Sequence, residues 1–344
     1  MRIGSAAQFG PVARGFVIGG VLAWAFVTLF PFYWTFVTSF KNLRIIVGGP
    51  TYFPFIDFQP SVHGWVELFT GVRGNMFKNL ANSTIVGVSA AVVATLFGTM
   101  AAYALARYRF RVPLLAGLAF AVIAIGGYVA LTELGMGRFG AISLAFAVAL
   151  ATSIVLGNLK LPGPLLGNED IIFWFISQRM FPPIVSAFAL FLLYSEFGKA
   201  GFKMTDTYLG LTLCYVAFSL PIVVWLMRDF FEALPPEVEE AAIVDDVPVW
   251  RIFLQIVLPM VMPGLAATFM ITLAFVWNEY LFALFLTNTQ WQTLPILVAS
   301  QISQRGDEWW ALSTAALTAI VPMMLVVWLL GRLMRSGLML GSIK

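Results

Sequence analysis

The chain has 344 residues, of which 60% are hydrophobic and 11% charged, with a mean hydropathy of +0.90 and a formal net charge of +3. A soluble domain carries about 25% charged residues, so this chain lacks the polar surface to cover a water-soluble core, and a bilayer is the solvent that suits it. The small net charge leaves no nucleic-acid footprint. A single cysteine, Cys214 in an apolar stretch, excludes an intrachain disulfide framework or a cysteine metal cluster and reads as a small packed side chain. The single histidine, His63, lies in a polar connection with no second His or Cys to share a metal, and reads as a surface residue.

A spanning helix needs about 20 apolar residues. Residues 1–14 are mildly polar, and the first candidate span follows at 15–38. No small-residue cleavage site follows a short apolar core there, so this span reads as a retained signal-anchor. A polar connection runs over 39–82. A second helical segment covers 83–112, with its apolar body at 83–106. Two uncharged stretches, 113–132 and 139–157, come next within the segment 113–170. Further candidates lie at 171–195, 208–228, 262–286 and 311–334, before a polar tail at 335–344. Eight spans is an even number, which puts both termini on one side. Basic residues choose that side. Arg2 and Arg14, then Arg107, Arg109 and Arg111, then Arg332, Arg335 and Lys344 fall together if the spans alternate, and that side is expected to be the cytoplasm. Lys41, Arg44, Arg73 and Lys78 sit in the long opposite loop, where the rule is weaker.

One polar stretch interrupts this pattern. Residues 228–264 hold Glu232, Glu237, Glu239, Glu240, Asp245 and Asp246, the densest acidic run in the chain. Pro235 and Pro236 suit a helix start, where a missing N–H costs nothing, and the following glutamates fall in the first turn, where the helix dipole favours acids. Pro248 should interrupt that helix. A second piece follows, with Trp250, Phe253, Ile256 and Val257 at helical spacing, and Pro259 and Pro263 close it. The segment at 229–263 therefore reads as helix, turn and helix beneath the membrane, offering a docking surface to a cytoplasmic partner.

The run Glu240-Ala241-Ala242, then Asp245, then Ile256-Val257-Leu258-Pro259, resembles the EAA loop of binding-protein-dependent ABC importer permeases. That pattern carries a glycine where this chain has Asp246. Aspartate is among the better non-glycine residues for a left-handed turn. Several other runs look like the maltose-type carbohydrate branch of the family. They include Pro31-Phe32-Tyr33-Trp34, Ser39-Phe40-Lys41, Asn82-Ser83 and Ala101-Ala102-Tyr103-Ala104-Leu105-Ala106-Arg107. Met180-Phe181-Pro182-Pro183, Asp206-Thr207-Tyr208, Trp277 to Leu284 and Gly337 to Lys344 continue the likeness. It covers about 30–110 and 171–344; the stretch from 112 to 170 does not match.

The resemblance implies an all-α polytopic membrane protein with the type I ABC importer permease fold: six core transmembrane helices plus an inserted two-helix hairpin. It implies a multi-pass subunit of the bacterial inner membrane that imports a carbohydrate and catalyses nothing itself. The implied partners are a second permease, two ATP-binding-cassette subunits, a periplasmic solute-binding protein and membrane lipid. No G-x-x-x-x-G-K-[ST] run occurs, so no cofactor is expected in this chain, and ATP and Mg belong to the partner ATPases. The implied ATPase-coupling residues are Glu239, Glu240, Ala241, Ala242, Asp245, Asp246, Val247 and Pro259. Polar groups inside spans mark pathways or polar helix contacts, which singles out Gln178, Arg179, Trp277, Asn278 and Glu279, with an Arg179–Glu279 pair as one arrangement. The Pro182-Pro183 pair should kink the fifth span. The residues leave the solute open among sugars, glycosides, polyols and glycerol phosphate. A secondary transporter would need buried ion-coupling acids and would leave the acidic loop without a purpose; a membrane lipid-sugar transferase would need clustered catalytic acids or histidines near the membrane surface, and the acid cluster of this sequence is the EAA segment.

Overall fold

The computed structural model describes residues 10–70, 75–159, 163–302 and 308–335. Arg2, Arg73 and Lys344, which entered the sidedness argument, lie outside the described residues, as does the tail from Gly337. Among the described residues, six helices are long and apolar enough to cross a membrane, and two bent helix pairs pass the same test together. The chain is thus an all-α polytopic protein, with six to eight candidate spans among the described residues. Its backbone divides into two compact units.

The first unit holds residues up to Phe77 together with Leu297–Pro322. Helix α1 (Pro11–Thr38) exposes its apolar side chains almost throughout, as a helix in lipid can. The connection after it folds into two short helices, α2 (Leu43–Val47) and α3 (His63–Phe69). Gly64 lets α3 approach the helix that begins at Trp309; a Cβ there would stand 3.0 Å from the Trp310 ring and from the Thr314 hydroxyl. His63 is at the surface, 3.3 Å from the Glu67 carboxylate one turn on.

The second unit starts at Lys78, within α4 (Met76–Arg107), a helix that begins earlier than the span read from 83 because its first turns are polar and lie beyond the apolar body. Its buried ridge is Val86, Ala90, Ala94, Gly98 and Ala102, every fourth residue. Small residues at that spacing let backbones come close. A Cβ on Gly98 would lie 2.5 Å from Val223 of α9 (Tyr208–Glu232). Cys214 is buried on the same helix α9.

After α4 the chain makes an antiparallel hairpin, α5 (Leu114–Glu133) and α6 (Arg138–Asn158). Its base is closed by a two-residue ladder of β1 (Val112–Pro113) with β2 (Leu165–Leu166). At its far end Phe139 packs against Phe197 and Phe202, and Arg138 meets Glu196 at 3.3 Å.

Two expected spans are not continuous. The one read at 171–195 is α7 (Asn168–Ser177), a 3-10 turn (Gln178–Met180) and α8 (Pro183–Lys199), bent by 92°. Phe181 precedes a proline and is extended, as that position demands, and two successive prolines offer no N–H to carry the helix through. The one read at 262–286 ends with α13 (Met262–Trp277) and restarts as α14 (Leu281–Leu286). The Glu279 carboxylate accepts the N–H groups of Leu281, Phe282 and Ala283 at 2.9 to 3.3 Å, which caps the new helix in place of the missing turn.

The acidic segment forms α10 (Glu237–Val244), then α11 (Val249–Arg251), a π-helical turn (Ile252–Val257) and α12 (Leu258–Met260), with a 79° bend into α13 (Met262–Trp277). The π turn corrects the reading of its apolar face. Ile252 and Val257, five apart, are the buried pair, while Trp250 stays 57% exposed. A turn closed by i→i+5 bonds is wider than 3.6 residues, so a face counted at 3.6 drifts off register.

Candidate functional site

Helix α10 divides its residues between two sides. Glu239 and Ala242 face inward and are buried. The Glu239 carboxylate accepts the Tyr103 hydroxyl at 2.7 Å and the Arg107 Nε–H at 2.6 Å, both from the end of α4. Arg107 also donates to the Leu234 carbonyl at 3.3 Å. Tyr103 in turn packs on Phe231 and Phe253, with ring centroids 5.5 and 4.8 Å away. Glu240, Ala241, Ile243, Val244, Asp245 and Asp246 remain exposed, Val244 at 82%. Two of the acids and small residues expected to meet a partner therefore secure the helix to its own protein, and the outward face mixes acids with bare aliphatic side chains.

The helix ends in a Schellman arrangement. Asp246 N–H donates to the Ile243 carbonyl at 3.0 Å and Val247 N–H to the Ala242 carbonyl at 3.1 Å. The residue between must be left-handed, and Asp246 has φ 55°. Asp246, which stands where the EAA-loop pattern carries a glycine, is therefore left-handed in this chain. Val247 packs against the core beside Ala242, the apolar contact that accompanies this cap. Pro259 lies in the first turn of α12, where its absent N–H breaks no bond.

The other end of α9 carries a second cluster that sequence reasoning passed over. Asp206, also left-handed at φ 54°, accepts the N–H groups of Asn288, Thr289, Gln290 and Trp291 at 3.0 to 3.2 Å. Burial raises its pKa, but these four donors outweigh it and hold the carboxyl down at about 2. From α4, Asn82 donates to the carbonyls of Gln290 and Gln292 at 2.8 and 2.9 Å, and Asn79 to Thr293 at 3.2 Å. Ser83 Oγ accepts the Leu294 N–H at 2.7 Å. The loop after α14 is thus held from both sides. The Asn82-Ser83 and Asp206-Thr207 runs were visible in the sequence, but nothing local says that both serve the same loop.

Of the five residues expected along a solute path, the fold brings three together. Gln178, Arg179 and Glu279 line a cavity of about 250 Å³ with Tyr215 and Ser219 of α9. It lies where the break between α7 and α8 faces the break between α13 and α14, and Phe218, Phe275 and Phe282 complete its walls. Arg179 and Glu279 do not pair: the Arg179 guanidinium stands over the Phe275 ring at 5.0 Å, and the Glu279 carboxylate is engaged by its own backbone. Trp277 is buried on the α4 side, where a Cβ on Gly87 would be 3.7 Å from its ring. Asn278 donates to the Ala274 carbonyl of its own helix at 2.8 Å. Those two belong to helix packing and capping, and not to the cavity.

The sequence profile of the family described as "binding-protein-dependent transport system inner membrane component" matches residues 169–336. The chain is 33% identical over 172 residues to the ABC transporter permease protein ORF1 of Streptomyces antibioticus, covering 50% of this chain and 73% of that one. It is 27% identical over 328 residues to the diacetylchitobiose uptake system permease protein NgcG of Streptomyces coelicolor, covering 94% and 87%. Its fold matches a chain in the crystal structure of a bacterial ABC transporter involved in the import of the acidic polysaccharide alginate, with a TM-score of 0.58, 16% identity, and coverage of 95% and 99%.

Proposed function

The chain belongs to the binding-protein-dependent transport system inner-membrane component family, and on that footing we propose that it is one of two permeases in an importer that takes up a carbohydrate at the expense of ATP held by partner subunits. Its own part is to build half of the path and to pass on the ATPase stroke. A periplasmic solute-binding protein delivers the sugar, and the acidic loop and both termini face the cytoplasm. ATP and Mg reside in two ATPase subunits.

The single observation that carries this reading is the two-sided α10. Its inward side is tied to α4 through Glu239, Arg107 and Tyr103, and its outward side presents Glu240, Ala241, Ile243 and Val244 to whatever lies beneath. An ATPase that grips the outward side and moves has a stiff linkage into a spanning helix, because a buried, hydrogen-bonded ion pair resists separation. Such a rigid-body drive can rock α4 against its neighbours. The carbohydrate assignment is supported by the named relative above and by the cavity at the two helix breaks. Broken helices are where transporters place polar solute contacts. The aromatic walls suit sugar faces, and Gln178, Ser219 and Arg179 suit hydroxyls.

The test separates the two sides of the helix. Glu240→Lys and Val244→Glu alter only exposed positions, so the protein should reach the membrane with unchanged thermal stability while co-purification with the ATPase subunits falls by about tenfold or more. Full ATPase recovery with both variants would remove the docking role. For the path, Ser219→Leu is expected to abolish uptake while leaving ATPase association intact; normal uptake would move the path elsewhere.

A further inference from the structure

The first unit contains a buried cation with an incomplete set of partners. Lys41, just past α1, is 3% exposed. Its ammonium carries three N–H donors, and among the described residues it has one acceptor, the Thr51 carbonyl at 2.7 Å. It stands 4.3 Å above the Trp34 ring and 5.4 Å from that of Phe58. Asp57, the acid near it, turns Oδ2 to the N–H groups of Tyr52 and Phe53 at 2.7 and 2.9 Å. Burial lowers the Lys41 pKa, and Asp57 opposes that only in part.

Lys41 lines a cavity of about 920 Å³ together with Trp34, Tyr52, Trp309, Thr38 and Ser313. Thr38 is 6% exposed, and its hydroxyl has no hydrogen-bond partner among the described residues. A buried donor left unpaired costs about 1–3 kcal/mol, and more when it is charged. Lys41, with one acceptor for three donors, and the unpaired Thr38 hydroxyl thus stand on the same cavity with donors to spare, the kind of incompletely satisfied group that an ordered water or an ion completes. The other walls are aromatic faces, which pack on apolar or ring-shaped bodies.

We propose that this cavity is an anion site: it takes a phosphate or carboxylate carried on an apolar or ring-shaped body, with Lys41 Nζ and the Thr38 hydroxyl donating to the anion and Trp34, Tyr52 and Trp309 packing on the body. The chemistry has two sources. One is the headgroup of an anionic membrane lipid, since the cavity borders the end of a spanning helix. The other is an acidic sugar. The site does not depend on the transport role proposed above.

The experiment uses the purified transporter in detergent, with thermal unfolding and native mass spectrometry as readouts. The probes are phosphatidylglycerol against phosphatidylcholine, and glucuronate against glucose. One anionic probe is expected to bind about tenfold more tightly than its neutral counterpart, with the preference lost in Lys41→Met, kept in Lys41→Arg and weakened in Thr38→Val. Preference for phosphatidylglycerol alone identifies the lipid, and preference for glucuronate alone the sugar acid. Equal binding of charged and neutral probes by the unaltered protein, or a preference that survives in Lys41→Met, overturns the proposal. Should Lys41→Met not yield folded protein, an undiminished preference in Thr38→Val overturns it instead.

Discussion

Asp206 meets two demands at one position. Its backbone is left-handed, and its carboxylate receives four consecutive N–H groups. Asparagine tolerates the same backbone but brings a weaker acceptor, so Asp206→Asn isolates the charge. It should cost about 1–3 kcal/mol at neutral pH, read from thermal unfolding in detergent. The sign with pH follows from a folded pKa of about 2, below the ordinary 3.8. The contribution is whole above pH of about 4 and fades as pH falls through about 2. The gap between the two proteins should therefore narrow over that interval; a constant gap would mean that the loop does not read the charge. Asp246 poses the conformational demand alone, since its side chain is exposed and its φ is 55°. Asp246→Val should lose about 1–2 kcal/mol, because a β-branched residue is strained there. Asp246→Gly should be no less stable than the parent. Equal loss in both would show that the side chain, and not φ, matters.

At the scale of elements, the informative contact is α10 on α4. Tyr103 and Arg107 stand one turn apart at the end of α4 and converge on one carboxylate, Glu239. Arg107→Leu leaves that carboxylate buried without its cation and should cost about 3–5 kcal/mol, whereas the double variant Arg107→Leu with Glu239→Leu should recover much of the loss. A double-mutant cycle on thermal unfolding measures this, and additive losses would mean that the two side chains act independently. Both runs that supply the contact, Ala101 to Arg107 and Glu237 to Asp246, stand out in the sequence. Their pairing does not, because Arg107 and Glu239 are far apart along the chain and the acidic run offers several equivalent glutamates. The helix start after Pro236 was equally legible, since a proline pair and a first turn of acids are local signals. The π turn was not: it is imposed where Ile252 and Val257 must both reach the core, and no residue type announces it.

At the scale of the molecule, the hairpin α5–α6 is tied in at its base. Val112 and Pro113 pair with Leu166 and Leu165. The Asn168 side chain donates to the Leu105 and Tyr108 carbonyls at 2.6 and 2.7 Å and accepts the Phe110 N–H at 2.8 Å. The chain therefore leaves and rejoins the core at one point. Replacing 114–164 by an Asn-Gly turn, which suits an antiparallel pair, should give a folded, monodisperse membrane protein. Its stability should fall by about 1–3 kcal/mol from losing the Phe139 and Arg138 contacts to α8. Aggregation of that variant on size-exclusion chromatography would show that the hairpin is part of the core and not an addition to it.

The sequence by itself determined the solvent, the approximate spans, the acidic loop and the family, because these rest on hydropathy, proline placement and contiguous motifs, all of which are local. It marked Pro182-Pro183 as a bend but gave no measure of the 92° turn. The tertiary structure alone decided the partners. It turned Glu239 and Ala242 inward, joined Asp206 with Asn82 on one loop, and separated Arg179 from Glu279. It also set Gln178, Arg179 and Glu279 around one cavity and took Trp277 and Asn278 out of it. The physical reason is that each of these outcomes is a choice among chemically equivalent neighbours. Such a choice is made by which helix faces meet once the spans pack, and packing joins residues that the chain itself keeps far apart.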